Sequence, residues 1–173
     1  MSAGTRLPLL ELGGEEAFKA YEKEFGRLYQ NRRVYDILGN QVTFDKSVCR
    51  HVCTKAEETA RSNRSRVWVQ ERAEHIPWIL AALTDPGTEI RLDKDLANRW
   101  NYLLVVEADP MHGLAQEYYC VVAEKLSPGL LTLVTAFPVD YAGWSLRRKS
   151  GKALYPIKKR TGHKASSFSF NGP

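Results

Sequence analysis

The side chains best suited to chemistry in this 173-residue sequence are a histidine, several basic residues and two threonines. His51 and Lys55 occupy a segment whose apolar residues recur at helical spacing, and both lie at the border of its apolar side. Cleavage of RNA without a metal needs a proton acceptor, a proton donor, and fixed cations or hydrogen-bond donors around the phosphate. The residues that could supply these groups are His51, Lys55, Arg61, Arg64, Arg66, Thr132 and Thr135.

The other three histidines are weaker candidates for catalysis. His75 belongs to a segment that is largely apolar on the side of Ile76 and Ile79, which favours a structural role. His112 falls in a predicted loop and His163 in the basic C-terminal segment, where a fixed catalytic geometry is uncommon.

The sequence lacks the motifs of several common nucleotide enzymes. It contains neither of the usual glycine-rich phosphate loops, no nucleophile elbow, and no acidic-x-lysine triplet of the kind that metal-dependent nucleases use. The cysteines, Cys49, Cys53 and Cys120, show neither zinc-ligand nor disulfide spacing. We therefore expect no metal, no cofactor, and buried free thiols in a cytoplasmic protein.

Positive charge is concentrated toward the C-terminal end. The net charge is +5, yet residues 1–140 contain 17 basic and 20 acidic residues, and no acidic residue follows Asp140. Such a segment attracts phosphate backbones or anionic lipid, although charged termini also serve simply as solubilising tails. The residues expected to bind RNA here are Arg147, Arg148 and Lys149, and the aromatic residues that could stack on bases are Tyr118, Tyr119, Phe137, Tyr141 and Trp144.

The spacing of apolar residues predicts helices in the first half of the chain and strands in the second. The predicted helices cover residues 15–38, 46–60 and 67–84, with Pro77 as a kink or a first-turn residue. A short extended piece covers 41–44, and the four predicted strands cover 89–92, 100–107, 117–126 and 130–139. This order predicts an α+β fold in which N-terminal helices pack on one face of a mainly antiparallel four-stranded sheet. The predicted organisation is an N-terminal helical extension over 1–40, an α+β domain over 41–145, and a basic, flexible tail over 146–173.

The order of four features resembles that of a superfamily of small RNases. His51 on its predicted helix is followed by a basic loop, by Glu-Arg-Ala-Glu-His-Ile-Pro-Trp-Ile-Leu-Ala-Ala-Leu-Thr-Asp-Pro-Gly-Thr-Glu-Ile-Arg at 71–91, and by Thr-Leu-Val-Thr-Ala-Phe-Pro at 132–138. This progression covers about residues 44–141 and resembles the phage-associated branch of the barnase/EndoU/colicin/RelE-like superfamily of RNases and toxin domains.

The resemblance implies a metal-independent endoribonuclease with helices first and strands after. It implies that His51 acts as acid or base, that Lys55 or Arg66 binds phosphate, and that Thr135 donates a hydrogen bond. Tyr141 is the nearest proton-bearing side chain where some members have a later histidine.

Three functions follow from the sequence, and the leading one is cleavage of RNA through attack of the ribose 2′-hydroxyl on its own phosphate. The first alternative is a non-catalytic, phage-derived module that binds nucleic acid or protein as an inhibitor or adaptor. The second is an effector of the ADP-ribosyltransferase type. The expected partner is RNA, with a cognate antitoxin or immunity protein for a toxin. No membrane partner is expected, because no apolar run approaches the roughly 18–20 residues that span a bilayer.

Overall fold

A seven-stranded mixed sheet forms the centre of the fold in the computed structural model, which describes residues 7–57, 65–106 and 116–155. The helices are α1 (Phe18–Phe25), α2 (Val48–Cys53), α3 (Gln70–Glu74), α4 (Trp78–Thr84) and α5 (Tyr141–Ser150). The strands are β1 (Val34–Tyr35), β2 (Gln41–Thr43), β3 (Thr54–Ala56), β4 (Arg66–Trp68), β5 (Glu89–Leu92), β6 (Arg99–Val106), β7 (Glu117–Ser127), β8 (Leu130–Val139) and β9 (Ala153–Tyr155).

The sheet has the order β1-β2-β8-β7-β6-β5-β9, and β3 and β4 form a separate two-stranded ribbon. The pair β2 and β8 is parallel, and the other neighbours are antiparallel. The α+β class is therefore confirmed, whereas the prediction of a four-stranded sheet is wrong. The strands that the prediction left out of the sheet, β1, β2 and β9, have two or three residues each, too few to show a period-two pattern.

The long hairpin of β7 and β8 agrees with the sequence prediction. Its strands are rich in β-branched and aromatic residues, and Pro128 and Gly129 form the turn between them. Gly129 has a φ of 75°, a left-handed conformation that glycine adopts without a steric penalty. This hairpin places β8 next to β2 and leaves the C-terminal half of β8 available to other elements.

The segment predicted as an N-terminal extension contributes to the main hydrophobic core. A 3₁₀ turn (Glu15–Ala17) precedes α1, and a π-helical turn (Gly26–Gln30) continues it. Tyr21, Phe25 and Tyr29 are fully buried there, and the Tyr29 hydroxyl donates to the carbonyl of Ile76 at 2.6 Å. The helix predicted to reach residue 38 therefore ends at Gln30, because the following residues pair as β1 with β2.

Helix α2 is much shorter than the predicted helix over residues 46–60. It ends at Cys53, and Thr54 adopts an extended conformation with φ −130° and ψ 162°. The Thr54 hydroxyl donates to the carbonyl of Arg50 at 2.7 Å, so it satisfies one of the carbonyls left free at the helix end. The chain continues as β3 because its backbone pairs with β4, which overrides the helical propensity of Lys55 and Ala56.

The segment predicted as a flexible basic tail begins inside a helix. Asp140 caps α5 by accepting from the backbone N–H of Gly143 at 2.7 Å. Through Trp144, α5 packs against the face of the sheet opposite the main core, where Trp144 contacts the cluster of Leu103, Cys120 and Val122. After α5, β9 pairs with β5, so the predicted boundary at 145/146 divides a packed helix.

Candidate functional site

The C-terminal half of β8 is an open strand edge bordered by basic residues. β2 pairs with β8 only at Leu130–Thr132, and no described strand occupies that side beyond Thr132. α2 and α3 also contact β8. A bulge at Val134 shifts the register, so Leu133 and Ala136 both belong to the main core while Thr135 does not. The bulge therefore leaves Thr135 half-buried at the edge.

Two arginines converge beside this edge on the residue that ends α2. Arg66 donates from Nε to the Thr54 hydroxyl at 2.7 Å and from Nη2 to the Thr54 carbonyl at 3.0 Å. Arg72 donates from Nη1 to the same carbonyl at 2.7 Å. Because α2 ends at Cys53, the Thr54 carbonyl is free to accept hydrogen bonds from both guanidinium groups.

His51 lies directly next to these arginines. Its backbone carbonyl accepts from Arg66 Nη2 at 3.3 Å, and its side chain stands on the exposed side of α2. Partial burial lowers the pKa of the imidazole, and the charges of Arg66 and Arg72 lower it further. These effects favour the neutral form of the ring, which can accept a proton.

Phe137 links Arg72 at the edge to Arg147 on α5. The guanidinium carbon of Arg72 lies 4.8 Å from the centre of the Phe137 ring, and that of Arg147 lies 5.2 Å from it. Both distances fall within the range of a cation–π interaction. The ring thus holds cations from α3 and α5 near one another on β8.

We call His51, Arg66, Arg72, Arg147 and Phe137 the basic cluster. None of its three arginines forms an ion pair with an acidic residue in the part of the chain that the structure describes. Guanidinium groups with free N–H donors and no carboxylate partner are suited to binding a phosphate, because their planar forks match its oxygen atoms.

Lys55 does not join this cluster, contrary to the helical-wheel prediction. It lies on β3 opposite Val67, whereas Thr54 and Arg66 share the other face of the ribbon. Side chains alternate along a strand, so the exposed Lys55 faces away from the two arginines. The predicted helical relation between His51 and Lys55 is lost because α2 ends at Cys53.

Tyr141 occupies a neighbouring cleft instead of the basic cluster. It is 62% exposed at the start of α5, and its ring centre lies 5.5 Å from that of Tyr118 and 6.3 Å from that of Trp144. No described hydrogen bond joins Tyr141 or Thr135 to His51. Among the predicted catalytic residues His51, Lys55, Arg66, Thr135 and Tyr141, the structure therefore joins His51 and Arg66 by a hydrogen bond.

The predicted RNA-binding residues of α5 have different environments. Arg147 contacts Phe137, whereas Arg148 forms an ion pair with the buried Glu89 at 2.8 Å, and Lys149 is exposed. The remaining predictions lie outside the described residues, namely Arg61, Arg64, His112 and His163.

His75 has the structural environment that the sequence predicted. It is 8% exposed, its ring centre lies 4.5 Å from that of Trp78, and Nδ1 lies 2.6 Å from the Glu71 carbonyl oxygen. Arg72 and Thr54 were missed as site residues by the sequence reasoning. Both sit in segments that were predicted as continuous helix, whereas in the structure α2 ends at Cys53 and the Thr54 carbonyl accepts from Arg72.

The three cysteines are free and buried, as predicted. Within residues 7–57, 65–106 and 116–155, no cluster of histidine, cysteine and acidic residues could hold a metal ion. The described helices are all too short or too polar to span a membrane.

Comparisons with known protein families, with characterised proteins and with solved structures find no match to this chain. Membership of the RNase superfamily therefore stays a prediction from the sequence resemblance.

Proposed function

We propose that this protein is a metal-independent endoribonuclease whose basic cluster binds a phosphate of RNA beside the open edge of β8. The observation that carries the proposal is the position of His51 beside two arginines that have no described carboxylate partner: its backbone carbonyl accepts from Arg66, and the charges of Arg66 and Arg72 contribute to lowering the pKa of its imidazole. Arg66 and Arg72 bind the phosphate, and His51 accepts the proton of the attacking hydroxyl.

The proposed reaction is an internal transesterification. The ribose 2′-oxygen loses its proton to His51 and forms a bond to phosphorus, while the bond from phosphorus to the 5′-oxygen of the next nucleotide breaks. The leaving 5′-oxygen takes a proton from water, and the imidazolium releases its proton to the solvent. The products are a 2′,3′-cyclic phosphate and a 5′-hydroxyl, and the two arginines stabilise the negative charge that builds up on the phosphorane.

Thr135 has a secondary part in this proposal. Its half-buried side chain stands on the same strand as Phe137, two residues away, and the bulge at Val134 keeps it out of the main core. From this position its hydroxyl donates a hydrogen bond to a phosphate oxygen. Tyr141 is excluded from the proposed reaction, because its ring packs with Tyr118 and Trp144 around a separate cleft.

The test is incubation of the full chain with total cellular RNA in excess EDTA. Discrete cleavage is expected for the wild type and for Lys55→Ala, which removes a cation on the opposite face of the ribbon. His51→Ala and Arg72→Gln are expected to lose cleavage. Cleavage by His51→Ala at the wild-type rate would refute the role of this histidine, and cleavage that needs a divalent metal would refute the reaction class.

A second function, binding of RNA without cleavage, is favoured by one observation. The basic cluster contains an acceptor and cations, but among the described residues no second proton-donating side chain is hydrogen-bonded to His51. In this case RNA stays intact in the same assay, and Arg72→Gln weakens binding while His51→Ala leaves it nearly unchanged.

A further inference from the structure

A cleft of about 410 Å³ lies at the end of β8, next to the basic cluster but with opposite charge. Its acidic lining residues are Glu71 on α3, Glu117 on β7 and Asp140, whose carboxylate also caps α5 by accepting from the Gly143 N–H. No lysine or arginine is among its described lining residues. A site with three acidic groups and no cation of its own repels phosphate, so it is unsuited to the ligand proposed for the basic cluster.

Aromatic rings form the walls of this cleft. Tyr118 and Tyr141 stand with their ring centres 5.5 Å apart, and Trp78 also lines the cleft. The Trp78 indole N–H donates to the carbonyl of Pro8 at 3.1 Å, and the Tyr118 hydroxyl donates to Gln116 at 3.0 Å. With these two donors already engaged, the rings of Trp78 and Tyr118 contribute mainly their π-faces, which attract cations.

A largely buried histidine adds a hydrogen-bond acceptor. His75 is 8% exposed and lines the cleft. Its Nδ1 lies 2.6 Å from the Glu71 carbonyl oxygen, which can only accept, so Nδ1 carries the hydrogen. In the neutral ring Nε2 is then an acceptor, and no described residue donates to it. The histidine, the carboxylates and the rings therefore all favour a ligand that donates hydrogen bonds and carries positive charge.

We propose that this cleft is a second binding site that takes one organic cation, an alkylammonium or guanidinium group, between the tyrosine rings and the carboxylates. The ring of Tyr141 covers the cation, Glu71 and Glu117 pair with it, and His75 Nε2 accepts one of its N–H groups. Two sources have this chemistry, a free polyamine and the side chain of a lysine or arginine in a peptide. The site does not depend on the proposed RNase activity, because it shares none of the residues of the basic cluster.

The test is calorimetric titration of the full chain with three probes, namely spermidine, N-acetyl-lysine methylamide and N-acetyl-norleucine methylamide. Saturable binding of the first two is expected, with no binding of the uncharged norleucine compound. A strong preference for spermidine would identify the polyamine as the source, and equal affinity for the lysine compound would identify a side chain. Equal binding of the lysine and norleucine compounds, or absence of saturable binding by both cations, would overturn the proposal.

Variants locate the site within the chain. Glu71→Gln keeps the shape of the side chain and the backbone carbonyl that binds His75, and it is expected to weaken cation binding roughly fivefold. Tyr141→Ala is expected to weaken it by a similar factor, because it removes a cation–π contact. The matched control is Glu11→Gln, an exposed carboxylate outside the cleft, which should leave the affinity unchanged. An equal loss in Glu11→Gln would show that net charge alone attracts the probes, and it would overturn the site.

Discussion

Arg66 and Arg72 donate hydrogen bonds to the same acceptor, the backbone carbonyl oxygen of Thr54, at 3.0 and 2.7 Å. Two guanidinium groups held this close repel each other, and each contributes to lowering the pKa of His51. A bound anion removes this repulsion, so binding is favoured most where the cations are already in place. The two arginines therefore lead to predictions about phosphate binding and about the pKa of His51.

Arg72→Gln is expected to weaken RNA binding by a similar factor for all sequences, because a phosphate contact carries no base information. The slope of the logarithm of the binding constant against the logarithm of salt concentration should become less steep by about one. The measurement is fluorescence anisotropy of a labelled single-stranded RNA at several salt concentrations. Arg27→Gln is the control, because Arg27 is paired with Glu24 on α1 at 2.8 Å. Equal slopes for wild type and Arg72→Gln would contradict the phosphate contact.

His51 is expected to titrate below its ordinary pKa of 6.5 in the free protein. Burial and the two arginines disfavour the charged imidazolium, so Arg66→Gln should move the pKa upward, and so should inorganic phosphate, which neutralises the arginines. The measurement is the pH dependence of the His51 ring signals by NMR. Because the neutral form accepts the proton, RNA cleavage should fall as the pH drops through this pKa. A His51 pKa that phosphate leaves unchanged would separate this residue from the anion site.

Sequence reasoning found the parts of the fold that have strong local signals. The hairpin of β7 and β8 combines long β-branched strands with a Pro-Gly turn, and its predicted bounds match the structure within one residue. Strands β1, β2 and β9 gain their stability from neighbours in the sheet, so their two or three residues carry no period of their own. Tertiary pairing of this kind decides the fold of short segments.

The same limit applies to the candidate site. His51 was identified because a histidine near basic residues is a common catalytic group. Lys55 was predicted to lie beside it because the predicted helix extended to residue 60, whereas α2 ends at Cys53. Arg72 was missed because its contacts, a hydrogen bond to the Thr54 carbonyl and a cation–π contact with Phe137, are made with other segments of the chain. Both contacts join segments that are distant in the sequence, and a helical wheel describes the residues of one segment only.

Arg148 and Lys149 are adjacent in the sequence but are expected to differ in their effect on stability. Arg148 pairs at 2.8 Å with Glu89, which is 2% exposed and also paired with Arg91, whereas Lys149 is exposed. Arg148→Ala leaves the buried carboxylate with one partner fewer, and it should lower the free energy of unfolding by about 1 kcal/mol. Lys149→Ala should change it little. Urea unfolding of both variants is the measurement, and equal losses would contradict a structural role for Arg148.

Gly151 is expected to be required for the pairing of β9 with β5, because a side chain at this position would clash with the backbone of β5. Its φ is −111°, which any residue can adopt, but a Cβ built there would lie 1.8 Å from the carbonyl oxygen of Leu92. Leu92 in turn donates to the carbonyl of Lys152 at 2.9 Å, and Arg91 donates to that of Gly151 at 2.9 Å. Gly151→Ala must displace this backbone contact, so we expect it to lower the free energy of unfolding by about 1–3 kcal/mol.

The matched control for this change is Gly26→Ala on the first helix. Gly26 has a helical φ of −58°, and its added Cβ would meet only the flexible end of Gln30 at 3.4 Å. Alanine restricts the unfolded chain there without a clash, so the free energy of unfolding should rise by about 0.4–1 kcal/mol. The two glycine substitutions should therefore move the urea midpoint in opposite directions. A shift of both midpoints in the same direction would show that close approach to Leu92 does not decide the effect at Gly151.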